Sequence, residues 1–160
     1  MDDNDMTSDI LIYNVLKKSD DKFIKKCNIK FIDKSVPAQE DDTIYVANVD
    51  LEYASETYED VNYTALVNIF VKTKDTDYLE GSRFLRTVIK HIKMVLWQDE
   101  DCKERYIRFR NTRYEYGSSY TLKGLHLLVQ LSETESKYPV DDDVFSCVRL
   151  DDDDIEIIDE

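Results

Sequence analysis

Tyr45, Ala47, Val49, Leu51 and Tyr53 alternate with Val46, Asn48, Asp50 and Glu52, a period of two that gives a strand one apolar and one mostly polar face. Val61, Tyr63, Ala65, Val67, Ile69 and Val71 repeat the pattern after a short acidic break. The period then changes. Tyr78, Ser82, Leu85, Val88, Ile89, Ile92, Val95 and Leu96 recur at three- and four-residue steps, the spacing of one face of an amphipathic helix. Strand alternation returns over 105–116 and 120–131, divided by Gly117-Ser118-Ser119, which reads as a hairpin. The predicted order from Thr43 to Leu131 is strand, strand, helix, strand, strand. Its core is expected from Val49, Leu51, Val67, Ile69, Leu85, Val88, Ile92, Leu127 and Val129.

Upstream, Thr7 or Ser8 can cap a helix with Leu11, Ile12, Val15 and Leu16 on one side, closed by Lys17 and Lys18 where the helix dipole favours cations. Cys27, Ile29 and Phe31 alternate with Asn28 and Lys30 as a first strand, while Phe23 and Ile24 could extend the helix. Val36-Pro37 makes 33–42 a loop, since proline lacks a donor and fixes φ. The connection 54–60 (ASETYED) has no glycine and is expected to be an open acidic loop carrying Glu59 and Asp60. Asp75 or Thr76 is the expected cap of the central helix, and Gly81 lets that helix sit close on the sheet. The fold expected is α+β: a mainly antiparallel sheet backed by an N-terminal helix and one long central helix. Residues 1–132 form its single domain. Residues 133–160, with acidic runs at 141–143 and 151–154 around Val144, Phe145, Val148 and Leu150, form a partly mobile extension.

Composition narrows the function. A formal charge of −14, from 35 acidic and 21 basic residues among 160, argues against general affinity for phosphate backbones. Cys27, Cys102 and Cys147 are odd in number and far apart, which gives neither a disulfide framework nor a metal motif and points to a reduced site of assembly. No apolar run is long enough for a membrane span, and the acidic start MDDNDMTSD is unlike a secretory signal. His91 and His126 have no second ligand at metal spacing, Ser118 and Ser119 lie outside any nucleophile elbow, and the aspartate runs lack the spaced ligands and glycine of a calcium loop. No catalytic, metal or cofactor site is expected, and an enzyme is a distant reading.

What remains is surface. Arg105, Arg108, Arg110 and Arg113 interleave with Tyr106, Phe109, Tyr114 and Tyr116. In a regular strand Arg108 and Arg110 share a face, with Ile107 and Phe109 toward the core. Such a strip could hold nucleic acid by charge and stacking, meet Asp50 and Glu52 across strands, or meet an acidic patch on a neighbouring subunit. The overall negative charge favours a protein partner. The candidate interface residues are thus Asp50, Glu52, Glu59, Asp60, Arg108, Arg110 and Arg113.

Three segments, TIYVANVDLEY (43–53), VNYTALVNIFVKTKDTDYLEGSRFLRTVIKHIKMVL (61–96) and YIRFRNTRYEYGSSYTLKGLHLLVQL (106–131), together with the preceding helix and proline-containing loop, resemble the tail terminator (tail completion) proteins of long-tailed bacteriophages and related archaeal viruses. The resemblance is one of element order and covers about residues 8–132. It implies an α+β subunit of a hexameric ring that caps the head-proximal end of the tail tube, stops tube polymerisation and receives the neck or head-completion protein. The expected partners are further copies of itself, the tail tube protein and the neck protein, with genome DNA passing through and no membrane involved. The expected location is the neck region of the virion, after assembly in the host cytoplasm. Six subunits would carry six times −14, or −84 formal charges, and a lumen of that sign would pass DNA without holding it. Two other classes fit the same residues: another head-tail connector or tail-tube-like ring component, and an acidic regulator or DNA mimic that binds a basic host protein.

Overall fold

A computed structural model describes residues 6–32 and 42–138. In chain order the elements are α1 (Ser8–Lys18), α2 (Lys22–Lys25), β1 (Asn28–Phe31), β2 (Thr43–Glu56), β3 (Asp60–Lys72), α3 (Tyr78–Gln98), α4 (Glu100–Glu104), β4 (Arg108–Tyr116) and β5 (Leu122–Ser136). The class is α+β, and the five strands form one mixed sheet in the order β1-β2-β3-β5-β4. β1 lies parallel to β2, with Asn28 opposite Thr43 and Phe31 opposite Val46. The sheet expected was mainly antiparallel, and this pair makes it mixed. A parallel neighbour needs a crossover of roughly a dozen residues, and the eleven between Phe31 and Thr43 meet that need. β4 and β5 are antiparallel, with Phe109 opposite Val129 and Tyr114 opposite Leu125.

The chain divides into two compact units. The larger takes in Met1–Tyr53 and Tyr63–Glu133. All four helices contribute to its core, through Leu11, Ile12 and Leu16 of α1, Ile24 of α2, Leu85, Val88, Ile92 and Leu96 of α3, and Cys102 of α4. The sheet answers with Ile44 and Val46, Val67, Ile69 and Val71, and Leu125, Leu127, Val129 and Leu131. Local chemistry sets the helix ends. The Asp21 carboxylate accepts from the N–H groups of Phe23 (2.9 Å) and Ile24 (3.1 Å) and starts α2 as a separate turn. Asp77, rather than the expected Asp75 or Thr76, caps α3 by accepting from Glu80 N–H at 3.0 Å. Asp75 instead accepts from the Asp77 N–H at 3.0 Å, tightening the approach to the helix. A Cβ on Gly81 would stand 2.6 Å from the Asp75 carbonyl and 2.9 Å from Leu122 Cδ2, so this position admits no larger residue without displacing α3 from β5.

Val49 and Leu51, expected in the core, are 57% and 51% exposed. Ile44 and Val46 occupy the helix-packed side with no exposure, and the pleat then sends Tyr45, Ala47, Val49, Leu51 and Tyr53 to the opposite face, where no described helix lies. The parity of β2 is therefore the reverse of the one its longer apolar row suggests.

The smaller unit takes in Ala54–Asn62 and Thr134–Glu160, described as far as Tyr138. The expected open loop is short here, because β2 continues through Glu56 and β3 resumes at Asp60. Thr57 substitutes for the missing glycine: its hydroxyl accepts from the N–H groups of Glu59 (3.3 Å) and Asp60 (3.0 Å), and its own N–H reaches the Asp60 carbonyl at 2.8 Å. Lys137 N–H donates to the Glu59 carbonyl at 2.7 Å, Thr134 Oγ1 to Asn62 Oδ1 at 2.9 Å, and Lys137 Nζ pairs with Glu56. β5 thus passes the expected domain end at 132 and runs to Ser136. This polar stretch is held by hydrogen bonds rather than by burial, which is why hydropathy failed to mark it. The mobility expected of the acidic extension concerns residues that, beyond Tyr138, lie outside the described ones.

Candidate functional site: an open sheet face and an arginine-bearing edge

The sheet face away from the helices has a buried end and an open end. At the buried end Tyr45 stacks on Phe70 (6.3 Å between centroids), and Phe70 stacks on His126 at 4.3 Å. His126 Nδ1 lies 3.0 Å from the Asn68 amide nitrogen and Nε2 lies 2.7 Å from Glu115. With Asn68 donating to Nδ1 and Nε2–H donating to Glu115, both ring nitrogens are satisfied. Gly124 makes the row possible, since a Cβ there would meet Phe70 Cε1 at 2.5 Å and would also collide with the Val71 carbonyl. At the open end Val49, Leu51 and Tyr53 (62% exposed) form a stripe along β2.

Asp50 and Glu52 are exposed and continue the side of Ile44 and Val46. They cannot meet the arginines as considered from the sequence, because β3 and β5 stand between β2 and β4. Glu59 and Asp60 sit in the turn of the smaller unit, where their backbone groups are engaged and the Glu59 side chain is exposed.

β4 closes one side of the sheet, and its Arg108, Arg110 and Arg113 are exposed. Arg108 stands opposite Gln130 and Arg113 opposite His126, both on the face away from the helices. Arg110 falls in a register shift between Phe109 and Thr112, so the regular alternation that would align it with Arg108 is broken. None of the three forms an ion pair with a described residue. Arg105 belongs to a different structure: it donates to Ser8 Oγ (3.2 Å) and the Met6 carbonyl, while the Ser8 N–H donates to Glu133 at 2.8 Å, anchoring the start of α1. Beside β4, Trp97 is 55% exposed and meets Phe109 edge-on at 5.0 Å, with Met94 43% exposed one turn before it. Sequence reading passed over Trp97 and Met94. Their signal was an α3 row offset from Leu85, Val88, Ile92 and Leu96.

The remaining titratable groups are tied into the fold. His91 Nδ1 lies 2.6 Å from Asp21. Burial would raise the Asp21 carboxyl, but the bond from His91 and the backbone N–H groups of Ile24 and Phe23 outweigh it and hold its pKa below the usual value. Cys27 and Cys102 are buried free thiols. Desolvation, with nearby Asp42, pushes Cys27 up to about 12, and desolvation with Asp99 raises Cys102 further, so neither supplies a thiolate near neutral pH. Among the described residues no cluster of three or more His, Cys, Asp or Glu could hold a metal ion, and no helix is long and apolar enough to cross a membrane. No protein-family model matches the chain, and no curated protein matches it.

Proposed function

We propose that this chain is a virion structural protein of the tail-terminator class, a subunit that closes into a ring, caps the head-proximal end of a tail tube and presents its other side to the neck. The observation that carries self-assembly is the open stripe of Val49, Leu51 and Tyr53, on the same sheet face that Tyr45, Phe70 and His126 pack at its other end. Contiguous exposed apolar surface marks a contact with another macromolecule. The order of elements, which resembles that of the tail terminator proteins, supports the class. Ring closure joins two different patches on each subunit, so the two ends of the ring differ. One end can match the tube while the other refuses a further tube ring, and termination follows from shape without chemistry. Charge is compatible with DNA passage: residues 139–160 hold ten acids and one arginine, net −9, which leaves −5 of the −14 for residues 1–138. Electron micrographs of particles assembled without this chain test the reading. Tails of irregular or excess length that fail to join heads are expected. Tails of normal length joined to heads would refute termination, and weight would move to another neck component or a regulator outside the particle.

A further inference from the structure

We infer that the outer edge of β4 receives the acidic C-terminal segment, residues 139–160, of a neighbouring copy of this chain. The inference rests on the self-assembly reading and assigns it a specific contact. Three observations on one edge carry it. β4 ends the sheet, so its outward backbone groups have no strand partner among the described residues. Arg108, Arg110 and Arg113 are exposed there and form no ion pair with a described residue. Trp97, edge-on to Phe109, and Met94 one turn before it add exposed apolar surface on the helix side.

An occupant must therefore bring carboxylates and apolar side chains together in one extended stretch. Residues 139–160 do so, with ten acids among Val144, Phe145, Val148, Leu150, Ile155 and Ile157. A second β4 edge does not, since arginine would face arginine, and charged edges resist pairing with their own kind. Reach is sufficient: 22 residues beyond Tyr138 span up to about 70 Å when extended. Acidic segment and arginine edge are two different patches, and their union between copies is the head-to-tail type of contact that closes a ring.

The chain carries its own probes. Cys27 and Cys102 are buried, leaving Cys147 as a reporter in the segment. Asn111 is exposed on β4, so Asn111→Cys places a thiol on the edge. Mild oxidation of this full-length variant should give species of two or more chains on a non-reducing gel. Those species should disappear with Cys147→Ser and fall at least tenfold with Arg108→Glu and Arg110→Glu. Trp97 is the only tryptophan, and its quenching by acrylamide should drop about twofold when the unmodified chain is concentrated into its assembled form. Light scattering on the same samples separates the outcomes. Assembly without a bond between copies and without protection of Trp97, or a bond that closes within one chain, overturns the inference and leaves self-assembly standing. No assembly at all overturns both.

Discussion

Replacing Val49 and Leu51 by threonine decides whether the β2 stripe is a contact surface or part of the core. Threonine is β-branched, a shape that suits a strand, and it removes apolar area at both positions. Full burial of a valine or leucine side chain is worth about 1.5–3 kcal/mol. The folded subunit leaves 57% of Val49 and 51% of Leu51 exposed, so about half of that, roughly 1 kcal/mol each, remains for a partner to bury. Losing both should weaken each subunit contact by about 2 kcal/mol, or about thirtyfold in its association constant. Stability of the isolated subunit should change by less than about 0.5 kcal/mol for each substitution, as at other exposed sites. Light scattering across a dilution series measures the first quantity. Urea midpoints taken where the chain is monomeric measure the second, because assembly adds to apparent stability. Ile92→Ala is the control: Ile92 is fully buried under the sheet, and its truncation should cost about 2–5 kcal/mol in the monomer. A monomer loss above about 2 kcal/mol in the Val49 and Leu51 variant would show that the stripe is packed as core. An unchanged dilution curve would show that this face joins nothing.

Gly124→Ala should destabilise the subunit by about 1–3 kcal/mol, and part of that cost should persist in a Phe70→Ala background, since the Val71 carbonyl also blocks a Cβ there; full relief in the double variant would locate the clash in the ring alone. Asp21→Ala removes the α2 cap and the His91 partner and should cost about 2–3 kcal/mol by chemical denaturation near neutral pH. The folded Asp21 carboxyl titrates below its ordinary value, so its contribution is complete above about pH 4 and is lost as pH falls through the folded value. The gap between wild type and variant should therefore close in acid, and a gap that stays constant to pH 2 would contradict the His91–Asp21 arrangement.

Much of the fold is legible in the chain because periodicity reports an element directly. The α3 row of Leu85, Val88, Ile89, Ile92 and Leu96 is buried as its spacing requires, and the alternation of β3 and β5 identifies their packed sides. β2 shows the limit. Periodicity reveals two faces but not which one a helix covers, and here two fully buried residues, Ile44 and Val46, outweigh the longer row on the other side. The signal was present in the even positions themselves, apolar at 44 and 46 and polar at Asn48, Asp50 and Glu52. α4 escaped notice because EDCKE has one apolar residue, Cys102, whose N–H is capped by Asp99 at 3.0 Å. The candidate site was half legible: the exposed arginines are visible as a cluster, but only strand order separates them from Asp50 and Glu52, and only tertiary packing reassigns Arg105 to α1.

Strand order also governs how the chain is made. β5 is the last described strand in sequence, yet it sits between β3 and β4. β4 has no other neighbour among the described strands, so neither it nor the exposed side of β3 can be completed until residues 122–136 have left the ribosome. The β3–β5 junction at Thr73 and Lys123 joins residues 50 positions apart, a separation that slows closure. Through most of synthesis the growing chain therefore carries a thirteen-residue β3 with one unsatisfied side beside a β2 with an apolar face. In a cell producing many copies at once, the interval before β5 arrives is when this protein is most exposed to pairing with the wrong chain.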